Sequence, residues 1–460
     1  MIRKTIAILF IALIVSCSSD ENDVQNVNST PGELVIESIN FNGQKATVDW
    51  NDVIDTDKDL IYYKLYIDSK FITETTNSEH TISLKYNQVY KGKIFATDKK
   101  GGTSELEFTF NSPKSKIILF TDHSGNINAY DLITNKTLWT SKTSFIEAST
   151  SFENIVFTGL NGINAIDLLS GEKLWNVSPS IQYNDEYRSI ITDKNNIYAF
   201  DNDSNLHCID LGNKTSKWEV KFLNHHSTIA IDDSKVYVSN SYLHAFNKNT
   251  GNKVWEYELS SSGTSAAPSI RTNPLVAEDN IYFGSDIGLF YSLNKENGNL
   301  NWTFNAGLFN SFYASPTIYK NTIITASDKC LYALNKENGN VEWKHYKSNG
   351  VIESSPFVYN DNIYMGFSNI DGSGELICFN ANSGSVRWKY NLVKQTTSSP
   401  IAYEGIVYIG DWNNTFYAID TNTGTLKWEF KTKENATKSP TIVIGNSELV
   451  VYPSSHGLKN

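Results

Sequence analysis

The chain has 460 residues, of which 40% are hydrophobic, 13% aromatic and 19% charged. Its formal net charge of −11 at pH 7 argues against a nucleic-acid-binding protein, because binding to phosphates requires a basic surface. The 25 tyrosines and the high aromatic content are typical of a β-rich exported protein.

The first 16 residues have the order of a secretory signal peptide. Arg3 and Lys4 precede the apolar run Ile6–Val15, which is too short to span a bilayer as a mature helix. The sequence Ile14-Val15-Ser16-Cys17 resembles a bacterial lipobox, in which the cysteine becomes the acylated first residue. We predict a signal peptide over residues 1–16 and lipid attachment at Cys17, which would anchor the chain to a membrane. The alternative is an ordinary signal peptide with an incidental cysteine.

Residues 17–32 are polar and acidic and are predicted to form a flexible tether. The acidic residues directly after Cys17 resemble the surface-export signal of Bacteroidetes-type lipoproteins. Acidic tethers are common, so a plain linker is the alternative.

Residues 33–112 contain short segments in which apolar and polar residues alternate, as in half-buried β-strands. These segments are Ala46–Trp50, Tyr62–Ile67, His80–Leu84, Tyr90–Thr97 and Glu105–Phe110. Their spacing predicts a small β-sandwich. The early Trp50, and Leu84 six residues before Tyr90, resemble a fibronectin type III domain. That resemblance implies Tyr90 as the corner tyrosine.

Three aspartates in this region, Asp55, Asp57 and Asp59, invite comparison with a calcium-binding loop. In an EF-hand, position six would be Gly and position twelve Glu, whereas this chain has Leu60 and Tyr66 there. We therefore expect a solvated loop between two strands and no metal site.

A nine-residue unit is repeated eight times in the rest of the chain, opening with Asp or Asn and ending with Trp eight positions later. The pairs are Asp131/Trp139, Asp167/Trp175, Asp210/Trp218, Asn247/Trp255, Asn294/Trp302, Asn335/Trp343, Asn380/Trp388 and Asp420/Trp428. The mean spacing of the tryptophans is (428 − 139)/7, about 41 residues. A period of this size indicates a repeat architecture.

Each unit has the signature of two strands joined by a tight turn. A small residue (Ala, Cys or Ser) stands two positions before the Asp or Asn, within an apolar–polar alternation. The Asp or Asn side chain can start the turn, and glycine four residues later in six copies supplies a positive φ. Asn135 takes this place in the first copy and Lys214 in the third, where we expect a different turn. The Trp ends the second strand and buries a large ring.

Two further short strands precede each unit, so each repeat contains four antiparallel strands. In later copies the first strand of the repeat opens with proline, which is tolerated there because no hydrogen bond between strands is lost. The examples are Ala267-Pro268, Ser315-Pro316, Ser355-Pro356, Ser399-Pro400 and Ser439-Pro440. Four such strands form a β-propeller blade, so we predict an all-β protein with an eight-bladed β-propeller over residues 114–460. The C-terminal strand near Ser439–Val443 is expected to pair with Lys116–Phe120 and close the ring.

The repeated pattern of small residue, Asp or Asn, turn glycine and Trp resembles the tryptophan-docking repeat of pyrroloquinoline-quinone-type β-propellers. That superfamily contains quinoprotein alcohol dehydrogenases and also a non-enzymatic lipoprotein of the outer-membrane barrel assembly machinery. The resemblance covers residues 114–460 and implies the fold. It does not choose between an enzyme and a scaffold, because the repeat is structural in both.

The residues that catalysis would require are missing from the sequence. The resemblance to quinoprotein dehydrogenases would imply a pair of cysteines that are adjacent in the sequence. In this chain no two of the cysteines are adjacent: they are Cys17, Cys208, Cys330 and Cys378. Cys208 and Cys378 occupy the small strand position, so packing explains them. His225-His226 would point to opposite faces of a strand and so are poorly placed to share one metal. We expect no catalytic residue, no cofactor and no metal site.

The sequence therefore favours a non-enzymatic outer-membrane lipoprotein whose propeller is a protein-binding scaffold. Resemblance to the barrel-assembly lipoprotein implies a protein partner in outer-membrane assembly, although that lipoprotein lacks a sandwich domain. The acidic tether and the fibronectin-like segment support an alternative, a surface-exposed lipoprotein that binds glycans or other extracellular ligands. A quinoprotein dehydrogenase is the enzymatic alternative.

Overall fold

The computed structural model describes residues 28–122, 125–142, 150–152, 154–159, 161–178, 188–201, 203–222, 228–259, 268–307, 310–431, 439–445 and 449–453. These residues form β-strands, turns and loops, without a helix. Accordingly, the described residues contain no helix that could cross a membrane. Contacts divide the chain into two compact units, Met1–Ser112 and Pro113–Asn460. Each unit is described by itself below.

The first unit contains two antiparallel sheets. One has the order β1-β2-β5 and the other β4-β3-β6-β7. The strands are β1 (Ile36–Asn42), β2 (Lys45–Trp50), β3 (Tyr62–Ile67), β4 (Lys70–Thr75), β5 (Glu79–Ser83), β6 (Val89–Thr97) and β7 (Thr103–Asn111). Alternate residues of β2, β3 and β6 are buried, as the period of two predicts.

Both sheets of the first unit contribute to one hydrophobic core. Trp50 is 1% exposed and meets the ring of Tyr63 edge-on, with ring centroids 5.5 Å apart. The hydroxyl of Tyr90 accepts a hydrogen bond of 2.7 Å from the backbone N–H of Lys85. This is the contact that a corner tyrosine makes with the backbone a few residues upstream. Tyr90 therefore makes the hydrogen bond that the fibronectin type III resemblance implies, while the assignment of the domain stays a prediction.

The described residues of the second unit form eight antiparallel sheets. The first has the order β10-β9-β8-β40-β41, with β8 (Lys116–Thr121), β9 (Asn126–Asp131), β10 (Lys136–Lys142), β40 (Thr441–Ile444) and β41 (Leu449–Val451). The next three are β11 (Thr150–Phe152), β12 (Ile155–Thr158), β13 (Ile163–Asp167), β14 (Lys173–Val177); β15 (Arg188–Thr192), β16 (Asn196–Phe200), β17 (Leu206–Asp210), β18 (Ser216–Val220); and β19 (Thr228–Ile231), β20 (Lys235–Ser239), β21 (Tyr242–Asn247), β22 (Lys253–Glu258).

The remaining four sheets follow in chain order. They are β23 (Leu275–Ala277), β24 (Asn280–Gly284), β25 (Leu289–Asn294), β26 (Leu300–Asn305); β27 (Ala314–Tyr319), β28 (Thr322–Ala326), β29 (Cys330–Asn335), β30 (Val341–Tyr346); β31 (Gly350–Val351), β32 (Phe357–Tyr359), β33 (Asn362–Asn369), β34 (Gly374–Asn380), β35 (Val386–Leu392); and β36 (Ile401–Tyr403), β37 (Ile406–Gly410), β38 (Thr415–Asp420), β39 (Leu426–Lys431).

The two ends of the second unit meet in one sheet. Strand β40 pairs with β8, with Thr441 opposite Leu119. This confirms the predicted pairing of the C-terminal strand with Lys116–Phe120. The last sheet then packs on the first, since Trp428 stacks on Tyr130 with ring centroids 5.2 Å apart. The pairing leaves β8 without an exposed edge on that side.

Each Trp of the repeat docks on the following sheet. The indole N–H of Trp302 donates a hydrogen bond of 3.0 Å to the carbonyl of Lys336 in the next repeat. The same bond joins five other pairs: Trp139 to Leu168, Trp218 to Lys248, Trp255 to Lys295, Trp343 to Ala381 and Trp388 to Thr421. The acceptor is always the residue that follows the Asp or Asn. The repeat therefore links neighbouring sheets through its tryptophan.

The small residue and a β-bulge explain how the indole reaches its partner. Across the last two strands of each repeat the small residue lies opposite the Trp, as Ala333 lies opposite Trp343, and the register shifts at the residue just before the Trp. The seven other copies share the pairing and the shift. A bulge re-aims the side chain beside it, and a small neighbour leaves space for the ring.

The turn glycine packs directly against the Trp of the preceding repeat. Gly339 has a φ of +74°, and a Cβ added to it would lie 2.5 Å from Trp302. We expect Gly339→Ala to lower the free energy of unfolding by about 1–3 kcal/mol more than Gly372→Ala. Gly372 is the matched control, because its φ is +83° but nothing lies within 4 Å of an added Cβ. Thermal unfolding of both variants measures the difference, and equal losses would contradict the packing role.

Two sequence-based expectations for the repeats are wrong. Lys214 has a φ of +62° and its N–H bonds the carbonyl of Asp210 at 2.8 Å, so the third repeat keeps the common turn. The Asp210 carboxylate stabilises that turn by accepting from the N–H of Gly212 at 2.9 Å. In the fifth sheet the first strand begins at Leu275, after Pro274, and not after Pro268. Asn273, the residue before Pro274, donates through its N–H the same hydrogen bond that serine donates in later repeats.

Those serines form a line of hydrogen bonds through consecutive sheets. The N–H of Ser315 donates to Oγ of Ser355, that of Ser355 to Ser399, and that of Ser399 to Ser439, each at 2.9 Å. Asn273 begins the line by donating to Oγ of Ser315 at 2.9 Å. All four serines are buried. The serine before each proline therefore satisfies a buried backbone donor of its neighbour.

Candidate protein-interaction surface

The topology gives the second unit two unlike faces. In an antiparallel sheet, alternate connections lie at opposite ends of the strands. In the last sheet, residues 404–405 and 421–425 therefore lie at one end, and residues 411–414 at the other. We call the end with the Asp/Asn turns the turn face. The other end, which also carries the connections from one sheet to the next, we call the loop face.

The turn face is polar and uniform. Its turns are held by the Asp or Asn, as where Oδ1 of Asn335 accepts from the N–H of Glu337 at 3.0 Å. Gly339 closes the same turn by donating to the carbonyl of Asn335 at 2.9 Å. In the described part of this unit, the exposed large hydrophobic side chains nearest this face, among them Leu300, Val341, Val386 and Leu426, lie at the first positions of the strands that follow the turns and not in the turns themselves. The turn face therefore presents polar turns to the solvent.

The loop face carries exposed apolar side chains. Tyr313 is 46% exposed, Tyr346 65%, Ile370 77%, Val393 60% and Trp412 43%. Tyr346 ends strand β30, whereas the other four lie in connections within or between the fifth to eighth sheets. We call these five residues the apolar rim. Apolar side chains exposed together on one face are typical of protein-interaction sites, and Trp and Tyr are enriched among residues that dominate binding energy.

Three residues of the apolar rim lie on loops that are bonded to one another. The N–H of Gln395 donates to the carbonyl of Gly372 at 3.1 Å, and the N–H of Trp412 donates to the carbonyl of Gln395 at 3.0 Å. The loops that carry Ile370, Val393 and Trp412 are therefore joined in one layer. A rigid surface of this kind loses little conformational entropy when a partner binds.

Asp411 fixes the position of Trp412. It is fully buried, and its Oδ1 accepts from the N–H groups of Asn413 at 2.8 Å and Thr415 at 3.1 Å. Its Oδ2 accepts from the N–H of Lys394 at 3.2 Å and from the hydroxyl of Tyr417 at 2.8 Å. Burial, and then Asp411 itself, raises the pKa of Tyr417, so that hydroxyl remains a donor. One carboxylate thus clamps two loops of the apolar rim.

We expect Asp411→Asn to lower the free energy of unfolding by about 1–3 kcal/mol. An amide keeps one acceptor oxygen, so some of the four donors that face it lose their partner. Asp371→Asn is the control. Asp371 is exposed, and its Oδ1 accepts a hydrogen bond from the N–H of Ser373 in the same loop, which lies beside the loops that Asp411 joins. The control should change stability by less than about 0.5 kcal/mol. Equal thermal shifts for the two variants would show that Asp411 is not a clamp.

The described cysteines that were weighed for catalysis are buried in strands. Cys208 and Cys378 are fully buried opposite Trp218 and Trp388, as the repeat predicts. Burial raises the pKa of both thiols to about 12, which disfavours the nucleophilic thiolate. Cys330 is also buried and unpaired. Cys17 and His225-His226 lie outside the described residues.

The repeats and their docking define the class of protein, a β-propeller built from pyrroloquinoline-quinone-like repeats. Within that class, the chain belongs to the family described as Outer membrane protein assembly factor BamB, which it matches over residues 89–257, 239–372 and 369–458. No curated protein sequence matches the chain.

Solved structures agree on the fold. BamB from Moraxella catarrhalis is 17% identical, with a TM-score of 0.52 over 66% of this chain and 95% of that chain. The computationally designed Ika8 protein is 15% identical, with a TM-score of 0.52 over 67% and 95%. Quinohemoprotein alcohol dehydrogenase from Comamonas testosteroni is 12% identical, with a TM-score of 0.53 over 69% and 75%. At these identities the likeness shows the β-propeller fold alone.

Proposed function

We propose that the protein is a non-enzymatic outer-membrane lipoprotein that uses an eight-bladed β-propeller as a protein-binding scaffold in outer-membrane barrel assembly. The observation that carries this proposal is the apolar rim on the loop face of a chain of the BamB family. A ring of sheets holds loops rigidly, which suits the recognition of another protein.

The contrast between the two faces supports a scaffold. Ile370, Val393 and Trp412 are exposed on loops that Asp411 and backbone bonds hold in place. Natural interfaces place aromatic anchors at the centre of a polar surround. At the same end of the strands, Lys347 and Glu375 form an ion pair between the sixth and seventh sheets, with side chains only 11% and 16% exposed. This arrangement favours a protein surface as the ligand.

The N-terminal part of the proposal comes from the sequence. Residues 1–16 would be the signal peptide, Cys17 the lipid attachment site and residues 17–32 the tether. Residues 33–112 would be a fibronectin type III-like domain, which the two sheets of the first unit and the Lys85–Tyr90 hydrogen bond support. The domain would serve as a spacer or a second binding surface beside the propeller over residues 114–460.

Quinoprotein catalysis has weaker support. Dehydrogenases are among the structures with the same fold, but the cysteines of this unit are separate and buried. Adding pyrroloquinoline quinone and Ca²⁺ to the purified protein tests this alternative. We expect neither a spectral change nor dye-linked alcohol oxidation, and either one would overturn the non-enzymatic proposal.

The test of the proposed function is affinity purification of the tagged, lipidated protein from gently solubilised membranes, followed by mass spectrometry. We expect the central subunit of the barrel assembly machinery to co-purify. Recovery of surface transport or glycan-handling proteins instead would favour the alternative of an outward-facing lipoprotein. The acidic residues after Cys17 motivate that alternative. Protease treatment of intact cells then separates the two, because only a surface-exposed chain would be cleaved.

A further inference from the structure

The loop that joins β2 to β3 in the first unit is less solvated than its sequence indicates. Asp55 is 3% exposed, whereas Asp57 and Lys58 are exposed. The expectation of a solvated loop is therefore wrong for Asp55. A buried carboxylate is costly unless a cation or hydrogen bonds compensate its charge.

Asp55 is only partly compensated by the protein. Its Oδ1 accepts from Oγ of Ser29 at 2.8 Å and from the N–H of Asp57 at 2.7 Å. Its Oδ2 is buried and accepts no hydrogen bond from any residue that the structure describes. Oδ2 of Asp59 is likewise buried and has no partner within the described part of the chain, although its Oδ1 accepts from the Lys100 ammonium at 2.6 Å. Among the described residues, two buried carboxylate oxygens of one loop thus lack the donors that such atoms normally have.

These carboxylates converge. One oxygen from each of Asp55, Asp57 and Asp59 lies within 4.8 Å of the others. Three negative charges at this separation repel one another, and Lys100 supplies one positive charge to Asp59. A divalent cation placed between them would compensate the repulsion and the incomplete hydrogen bonding of Asp55 and Asp59.

We propose that Asp55, Asp57 and Asp59 bind one Ca²⁺ ion in the first unit. Carboxylate oxygens are the ligands that hard cations prefer, and Ca²⁺ accepts irregular geometry with water in the remaining positions. Mg²⁺ fits less well because it requires near-octahedral coordination. Ser29 contacts both Asp55 and Asp57. The ion would therefore stabilise the loop and the segment that leads into the domain. This site is independent of the propeller and of its proposed function.

Isothermal titration calorimetry of the full-length, metal-free protein with CaCl₂ tests the site. We expect one ion per chain, with a dissociation constant on the order of 10⁻⁴–10⁻³ M, as in extracellular modules. Binding should raise the midpoint of thermal unfolding, and EDTA should reverse that rise. MgCl₂ titrated in the same way should bind at least tenfold more weakly.

Substitutions assign the ion to these residues. Asp57→Asn and Asp59→Asn should each weaken Ca²⁺ binding by tenfold or more. Asp57 is exposed, so this variant should still fold, whereas replacing Asp55 also removes hydrogen bonds that order the loop. Asp52→Asn, an exposed neighbour outside the cluster, is the control and should bind as the wild type does. No binding at about 10 mM Ca²⁺, or binding that both cluster variants retain, would overturn the proposal.

Discussion

Trp302→Ala should lower the free energy of unfolding by about 3–5 kcal/mol. The indole is 9% exposed, packs on Gly339 and donates to the carbonyl of Lys336. Its removal opens a cavity between two sheets and leaves that carbonyl without its donor. Urea or thermal unfolding measures the loss.

Two further variants make the result specific. Trp302→Phe keeps a ring but loses the N–H, so it should cost less than the alanine variant. Trp412→Ala removes an indole that is 43% exposed and should change stability by less than about 0.5 kcal/mol. A loss below about 1 kcal/mol for Trp302→Ala would mean that the repeat tryptophans do not hold neighbouring sheets together.

Trp412→Ala should instead reduce partner binding by about 30-fold, which corresponds to about 2 kcal/mol for an interface hot spot. Ile370→Asp, which places a charge on the same surface, should have at least as large an effect. Leu426→Ala is the matched control, because Leu426 is 40% exposed but lies on strand β39, away from the loop face. Recovery of the partner in affinity purification measures all three. Unchanged recovery with Trp412→Ala and Ile370→Asp would rule out the apolar rim as the binding surface.

The repeat explains why most of the fold of the second unit could be predicted from the sequence. The Asp or Asn and the turn glycine recur at fixed spacing because they form a turn of a few residues, and the Trp does so because it lies opposite the small residue of the same strand pair. The hydrogen-bond acceptor of each Trp could not be predicted from the sequence. The Trp302–Lys336 bond joins different repeats, and spacing within one repeat carries no information about it. The expectation for Lys214 was wrong because the local hydrogen bonds of Asp210 keep the turn although a non-glycine residue disfavours its positive φ.

The candidate site was largely hidden in the sequence. Trp412 and Ile370 lie in connections that follow no period, so nothing in the pattern separates them from buried aromatics. The role of Asp411 depends on Lys394, which is distant in the chain and reaches it only because two sheets are adjacent. Likewise the aspartates of the β2–β3 loop were visible as a motif, but the burial of Asp55 depends on Ser29 and on the folded domain.

The most direct test of the protein-binding claim is site-specific photo-crosslinking in cells. A photoreactive amino acid is placed at position 412 on the loop face, and in a second strain at Asn338, an exposed residue of the turn face. We predict a crosslinked adduct with the central barrel-assembly subunit from position 412 and none from position 338. No adduct from position 412, or equal adducts from both, would contradict the account of the loop face as the surface that binds a partner.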